Sequence, residues 1–317
     1  MKRLGVVIFM PTGCSKCGNP AVYYRRYTSE YLCGRCLVDT TIDRARRTIN
    51  KQKMLQEDDR IAVAISGGKD SAVLLHILHQ IESAFPKSEI IPVIIDEGIV
   101  GYRDKALESA VSLSQDLDLE LHIFSFQELF DYTLDEIVQL KPPKSVGACS
   151  YCGVLRRRAL NIAAQQLDAD VIAIGHNLDD EAQTVLMNIL RGDSSRILRT
   201  NIPRTHSIQG LVPRIKPITE LTERDIVAYA HHLGIPYHDV PCPYAEAAYR
   251  NDVRAFLNDM EYRRPGTLLA ILRSSESITE SFRSSEKKWN FALCERCNTP
   301  SPSKLCKTCE LLDTIKR

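Results

Sequence analysis

The sequence predicts an α/β protein built on a parallel, doubly wound sheet, flanked by a cysteine-rich module at each end. Three observations predict it. Short apolar runs alternate with helix-like patterns through the middle of the chain, and such alternation specifies a parallel sheet covered by helices on both faces. The first of these runs ends in a glycine-rich turn, Ser66-Gly67-Gly68-Lys69-Asp70-Ser71, that opens a helix. Of eleven cysteines, eight fall into two tetrads of paired C-x2-C spacing near the termini.

In chain order, Leu4 to Met10 is apolar but runs straight into the first cysteines without a small-residue cleavage site, so it reads as non-signal; translation could also begin at Met10. Cys14-x2-Cys17 with Cys33-x2-Cys36 gives four thiolates, enough to close a tetrahedral zinc shell. Disulfide-bonded knuckles are the other reading of such pairs. Asp43 to Met54 follows as a helix-like stretch with Arg44, Arg46, Arg47, Lys51 and Lys53, either a polyanion surface or a solvated helix face. Ile61 to Ile65 is the first strand of the sheet, and Ala72 to Leu78 is the apolar-periodic helix it feeds. Ile90 to Asp96, Leu121 to Phe126 and Val171 to His176 are the next three strands. In the tail, Cys294-x2-Cys297 with Cys306-x2-Cys309 repeats the ligand spacing for a second Zn²⁺. The expected division is a zinc finger over 1–42, a catalytic domain with its basic entry helix over 43–250, a helical linker over 251–288 and a second zinc finger over 289–317.

At 317 residues the chain can bury a full core, so one large domain with small appendages is expected. The formal net charge is +1, but residues 1–53 hold eleven Lys and Arg against three acids, a local excess of +8 that leaves the rest acidic by 7. A basic terminal module on a mildly acidic body is a footprint for binding a polyanion. Thiolates in metal-ligand spacing imply a reducing, cytoplasmic compartment. No run of eighteen apolar residues occurs, so no membrane partner is expected.

The turn Ser66–Ser71 lies at the carboxyl end of a strand, where parallel sheets bind ligands. Its glycines let the backbone approach phosphate oxygens, the helix start points free N–H groups at them, and Lys69 adds positive charge. It is not the Walker pattern, which needs G-x-x-x-x-G-K-S/T. A second element, Gly175-His176-Asn177-Leu178-Asp179-Asp180-Glu181, follows the fourth strand and opens another helix. Asp179 and Asp180 are either N-capping residues, or one of them is an oxygen ligand for a Mg²⁺ that bridges phosphates. Cys149, Cys152 and Cys242 are left over from the tetrads. Three thiols cannot close a zinc shell. They could hold a four-iron cluster by three corners, do persulfide or disulfide chemistry, or be buried without a role.

With these residues in view the chain resembles the TtuA/TtcA family of tRNA 2-thiolation enzymes, and its cytosolic wobble-uridine branch most closely. The resemblance runs through both tetrads, Ser66 to Ser71 as a PP-loop, Asp96-Glu97-Gly98-Ile99 with Gly101-Tyr102-Arg103, Cys149-Ser-Tyr-Cys152 through Arg158, Gly175 to Glu181, and Cys242-Pro243-Tyr244. It implies the HUP-like fold of the PP-loop ATP pyrophosphatases, which split ATP between the α and β phosphates. It implies nucleotide contacts from Ala64, Ser66, Gly67, Gly68, Lys69, Asp70, Ser71, Asp96, Gly98, Arg156, Gly175 and Asp180. It also implies a [4Fe-4S] cluster on Cys149, Cys152 and Cys242 with one iron open to sulfur, although a persulfide route has been argued for the family. Catalytic roles fall on those cysteines and on Asp70, Arg156 and Asp180. A tRNA substrate, a ubiquitin-like sulfur carrier or sulfide as donor, and a homodimer are implied as well.

The chemistry agrees with the resemblance. A uracil carbonyl oxygen is a poor leaving group, so replacing it with sulfur needs prior activation, which adenylation by ATP supplies. Phosphate contacts from a basic module would give RNA affinity, and loop uridines can be splayed out to reach a pocket. The same chemistry on the T-loop uridine, another PP-loop enzyme such as a lysidine synthase, and a non-catalytic RNA-binding zinc protein are the competing readings.

Overall fold

The computed structural model describes residues 13–198, Arg204, 208–244, 250–283 and 291–315; the apolar stretch Leu4 to Met10 lies outside them. The chain opens with a hairpin of β1 (Tyr23–Arg25) and β2 (Glu30–Leu32) that leads into α1 (Gly34–Gln52). The body then alternates: β3 (Arg60–Ile65), α2 (Lys69–Glu82), β4 (Glu89–Asp96), α3 (Arg103–Asp116), β5 (His122–Ser125), α4 (Phe126–Phe130), α5 (Leu134–Leu140) and α6 (Ala148–Gln166). It continues through β6 (Val171–Ile174), α7 (Leu178–Leu190), α8 (Ser194–Leu198), β7 (Arg214–Ile215), α9 (Glu223–Leu233), α10 (Arg250–Arg263) and α11 (Thr267–Arg283). A small hairpin of β8 (Ala292–Leu293) and β9 (Pro300–Ser301) with α12 (Lys307–Ile315) closes it.

The central sheet is parallel throughout, in the order β5-β4-β3-β6-β7. Strand side chains alternate between its two faces, as the pleat requires. Ile61, Val63, Ile65 and Ile94 join the buried cluster formed with α2 and α9, whereas Ala62, Ile91, Val93 and Ile95 join the one formed with α4, α5 and α6. Burial on both faces explains why the strands read as continuous apolar runs. The chain winds outward to β5 on one side of β3 and to β7 on the other. The crevice at the carboxyl ends of β3 and β6 is therefore the topological switch point, where such sheets bind ligands.

Helix α1 starts at Gly34, earlier than the basic stretch alone predicts, and so carries Cys36 and the basic residues on one element. Its threonines do not break it. Thr40, Thr41 and Thr48 each donate a hydroxyl to the carbonyl one turn earlier, at 2.6, 2.7 and 3.1 Å. The third strand ends at Ser125 because that residue caps α4 in a reciprocal capping box with Glu128, which moves Phe126 into the helix. The fifth strand, β7, has two residues, too few for a pattern of period two to register.

Both terminal modules are joined to the body. Arg25, 1% exposed, donates from Nε to Asp225 Oδ1 at 2.8 Å, and the Tyr23 and Tyr27 hydroxyls donate to the same carboxylate. At the other end, Leu311 and Ile315 of α12 enter the core beside α6, and the Tyr151 and Thr314 hydroxyls bond at 2.7 Å. Helices α10 and α11 pack on α7, where Leu178, Ala182 and Met187 meet Val253, Leu257, Leu268 and Leu272.

Candidate active site

The turn after β3 folds as a cradle held by its own hydroxyls. The Ser66 N–H donates to Ser71 Oγ at 3.0 Å, the Gly68 N–H to Ser66 Oγ at 3.3 Å, and the Ser71 hydroxyl to Gly68 O at 2.9 Å. Gly67 has φ +83°, and a Cβ there would meet Ala106 O at 2.4 Å, so only glycine fits. Gly68 is the N-cap of α2, and Lys69 and Asp70 lie in its first turn with the free N–H groups. Ala64 sits on β3 between Val93 and Ile174, and Asp96, at the end of β4, accepts the Gly98 N–H at 2.8 Å. Gly175 passes so close to the cradle that a Cβ would come within 3.1 Å of the Asp70 carbonyl carbon and the Ser71 nitrogen.

Charges around the cradle are balanced in pairs. Lys69 Nζ lies 2.8 Å from Glu223 and 3.2 Å from Asp70. Burial works against the ammonium, but these two carboxylates push it up to about 12. Burial raises the Asp70 carboxyl, Asp180 repels it, and Lys69 and Asn177 only partly offset this. A divalent cation beside Asp70 would relieve both the burial and the repulsion that disfavour its charged form. Asp180 also caps: it is the third-position partner of Asn177 in the capping box of α7, and it pairs with Arg250 at 3.2 Å. Asp179 accepts the Glu223 N–H at 2.8 Å, and of the two acids it is Asp180 whose charge acts on Asp70.

Cys149 and Cys152 lie at the start of α6, with Arg156 one turn beyond Cys152 on the same side. The Cys149 thiol is exposed and donates to Tyr244 O at 3.2 Å, while Arg156 donates to Cys152 Sγ at 3.2 Å. Burial pushes the Cys152 thiol up to about 11, and Glu97, Cys242 and Cys149 act in the same direction against Arg156. Among the described residues only the two tetrads bring three or more metal-ligand atoms within 4.8 Å of one another, so this trio is set wider. A single ion bound by all three sulfurs would need them closer together than this. The helix N-terminus and Arg156 supply positive potential for an anionic group there.

The tetrads have single-ion geometry. Cys17–Cys33 and Cys17–Cys36 sulfurs are 3.6 Å apart, and Cys297–Cys306 are 3.5 Å apart. Four sulfurs about 2.3 Å from one ion in a tetrahedron lie about 3.8 Å from each other. Burial raises the Cys14 and Cys294 thiols, but surrounding backbone N–H groups bring both down to about 6, whereas burial and the neighbouring cysteines push Cys36 and Cys309 up.

One segment joins the cradle to the trio. The His238 N–H donates to Gly67 O at 2.8 Å, and the chain then runs through Cys242 to Tyr244, whose carbonyl faces Cys149. On the other side, Arg103 donates to Ser66 O at 2.9 Å and pairs with Glu97, which pairs with Arg156. Of the site residues predicted from sequence, Ser66–Ser71 form the cradle, Ala64, Asp96, Gly98 and Gly175 lie in or just after β3, β4 and β6, Arg156 lies in α6, and Asp180 lies in the first turn of α7. Sequence reasoning gave no role to the partners: Glu97, Arg103 and Asn177 stand in its motifs without one, and Lys216, Glu223 and Arg250 went unread. Lys216 bonds both oxygens of buried Glu181 at 2.8 Å, and it and His176 hold that carboxyl below the usual range despite burial.

A glycine-rich anion cradle at the switch point of a parallel sheet defines a nucleotide-binding PP-loop protein. Residues 39–261 match the PP-loop domain family, and residues 14–38 match the N-terminal LIM domain of the 2-thiouridine synthetase TtuA. The chain is 40% identical over 311 residues to cytoplasmic tRNA 2-thiolation protein 1 of Drosophila virilis, covering 97% of this chain and 89% of that protein. The counterpart in Drosophila willistoni is 41% identical over the same span. The solved U34-tRNA thiolase NcsA of Methanococcus maripaludis, with its [4Fe-4S] cluster, superposes with a TM-score of 0.83 at 31% identity, covering 95% of this chain and 96% of that one. The chain belongs to the family of PP-loop tRNA 2-thiolation enzymes.

Proposed function

We propose that this chain is an ATP-dependent, AMP-forming tRNA 2-thiouridine synthase of the cytoplasm that acts on the wobble uridine. The observation that carries this reading is the joining of the phosphate cradle to three cysteines by the His238–Tyr244 segment. Activation and sulfur delivery then occur at one site. The kinship with a U34-tRNA thiolase supports the wobble position.

In this reading, backbone N–H groups at the start of α2 and Lys69 bind the phosphates of ATP, with Ala64, Asp96 and Gly98 on the nucleoside side. Asp70 and Asp180 hold Mg²⁺ against the phosphates. The uridine O2 forms a bond to the α-phosphorus and pyrophosphate leaves. Sulfur then bonds to C2 and AMP departs with the former carbonyl oxygen. Cys149, Cys152 and Cys242 would hold the [4Fe-4S] cluster, which when bound supplies an iron site for sulfur. Arg156 stands at the boundary of the two halves, where it neutralises charge. The tetrads hold Zn²⁺ and order the modules 1–42 and 289–317 that flank the catalytic unit 43–250, while α10 and α11, from the 251–288 linker, cover α7. A ubiquitin-like carrier or sulfide as donor, and a homodimer, complete the reading.

Nucleoside mass spectrometry of tRNA from cells lacking the protein, mapped by position, tests it. Loss of 2-thiouridine at the wobble position is expected. Unchanged thiolation at every position would overturn the function, and loss confined to the T-loop would move the site.

A further inference from the structure

Glu97 follows β4 and is 1% exposed. Its Oε1 lies 2.6 Å from Arg156 Nε and its Oε2 lies 3.0 Å from Arg103 Nε. The two guanidiniums lead in different directions. Arg103, 4% exposed, donates to Ser66 O at 2.9 Å and to Ile95 O. Arg156 leads to Cys152 Sγ at 3.2 Å. One buried carboxylate thus joins the main chain of the phosphate cradle to a thiol of the trio.

A buried charge persists only when it is paired, and removing one partner leaves the other uncompensated. Glu97 meets this condition twice. Arg103 is already held by two backbone carbonyls, so its orientation does not depend on the carboxylate alone. Arg156 is different. Its side chain is 44% exposed, and its contacts are Glu97 and the Cys152 sulfur. Without Glu97 a long, partly solvated side chain keeps only the contact with a weakly accepting sulfur, and its rotamer entropy favours release.

We propose that Glu97 is a positioning residue that holds Arg156 over Cys152 and so sets the reach between the phosphate cradle and the cysteine site. This rests on the reading of Cys149, Cys152 and Cys242 as the sulfur-handling site. Glu97 itself need touch neither nucleotide nor sulfur. Its effect passes through Arg156.

The test is alkylation of iron-free protein by iodoacetamide at fixed pH, without ATP or tRNA, with each cysteine read by peptide mass spectrometry. Cys152 is scored against Cys149, which Arg156 does not touch. Arg156→Ala and Glu97→Gln are each expected to shift the Cys152 to Cys149 ratio in the same direction by about twofold or more, and the double variant no further than Arg156→Ala alone. A ratio unchanged in Glu97→Gln, or effects that multiply in the double variant, would overturn the proposal. If Glu97→Gln does not fold, Glu97→Asp keeps the charge but shortens the arm by one methylene, and the same comparison applies to it. In the thiolation reaction Glu97→Gln should lower kcat while KM for ATP stays within about twofold. A raised KM with unchanged labelling would mean that the carboxylate acts on the cradle through Arg103. Labelling needs no turnover, so a parent protein inactive on tRNA would sink the functional reading while leaving this one standing.

Discussion

Asn177 ties the two loops of the site together: its side-chain N–H donates to Asp70 Oδ1 at 2.7 Å while its own Oδ1 accepts the Asp180 N–H at 2.9 Å. One amide therefore caps α7 and orients the acid beside Lys69. Asn177→Ala removes a cap and a donor to a half-buried carboxylate, so it should cost about 1–3 kcal/mol of stability and weaken ATP binding. Lys69→Ala and Asp70→Ala should impair AMP formation without changing the metal content. Denaturant midpoints, ATP titration and AMP release check this. Parent-level ATP binding and AMP release in Lys69→Ala and Asp70→Ala would refute the cradle.

The basic face of α1 is partly committed to the fold. Arg44 lies over the Tyr27 ring at 4.8 Å, and Lys51 pairs with Glu276 at 3.3 Å. Arg46 and Arg47 are exposed, with Asp43 as their partner within the helix. Reversing both charges should weaken binding to all tRNAs alike and flatten its salt dependence, as loss of phosphate contacts does. Equal affinity and an equal salt slope, by filter binding across a salt series, would leave this a solvated helix face.

The sequence made the strands, the cradle and the cysteine groups legible because each depends on local spacing: β3 into Ser66–Ser71, β6 into Gly175, C-x2-C pairs into tetrads. What it left hidden depends on distant chain segments meeting. Arg25 finds Asp225, and Lys216 finds Glu181, only after the sheet has formed. Glu97 read as part of a motif, but its two arginines come from α3 and from α6, and no spacing encodes that meeting. Asp180 has two readings from sequence, and the structure shows the capping one, in the reciprocal box with Asn177; its charge also acts on Asp70, which depends on the fold and not on local spacing.

His76 gives a pH dependence apart from the metal sites. Burial lowers its pKa, as does neighbouring His79, and its Nδ1 bonds the hydroxyl of fully buried Tyr229 at 2.9 Å. The unfolded chain takes up a proton near the ordinary value of about 6.5 while the folded one resists. The unfolded state thus binds more protons, and stability falls as pH drops below that value. His76→Gln removes this proton uptake. The melting temperature of the parent relative to His76→Gln should therefore be higher at pH 7.5 than at pH 5.5, and a difference that grows on acidification would contradict the assignment.

The tail tetrad should be structural. Cys294 is fully buried, and its sulfur accepts the Cys306 N–H at 3.2 Å, so removing it takes a ligand from the centre of the knuckle. Cys294→Ala should lower stability and zinc content while the iron–sulfur absorption of the folded fraction persists, because a closed site contributes folding energy directly. Elemental analysis beside a visible spectrum decides the matter. Loss of iron with zinc retained would reverse the assignment.

The trio poses the sharpest choice. Cys149, Cys152 and Cys242 gather beside the cradle but spread wider than a single-ion site. If they hold a cluster, each single alanine change should deplete iron and abolish thiolation, and ATP binding should persist because Ser66–Ser71 is held by its own hydrogen bonds. A persulfide route requires the same cysteines but no iron, so it predicts full activity in iron-free parent protein. Reconstitution under argon, followed by tRNA thiolation with iron-free and iron-loaded protein, separates the two. Activity that rises with iron content and is absent without it is the expected outcome. Full activity in rigorously iron-free protein would return these thiols to redox chemistry on an exposed Cys149 and its neighbours.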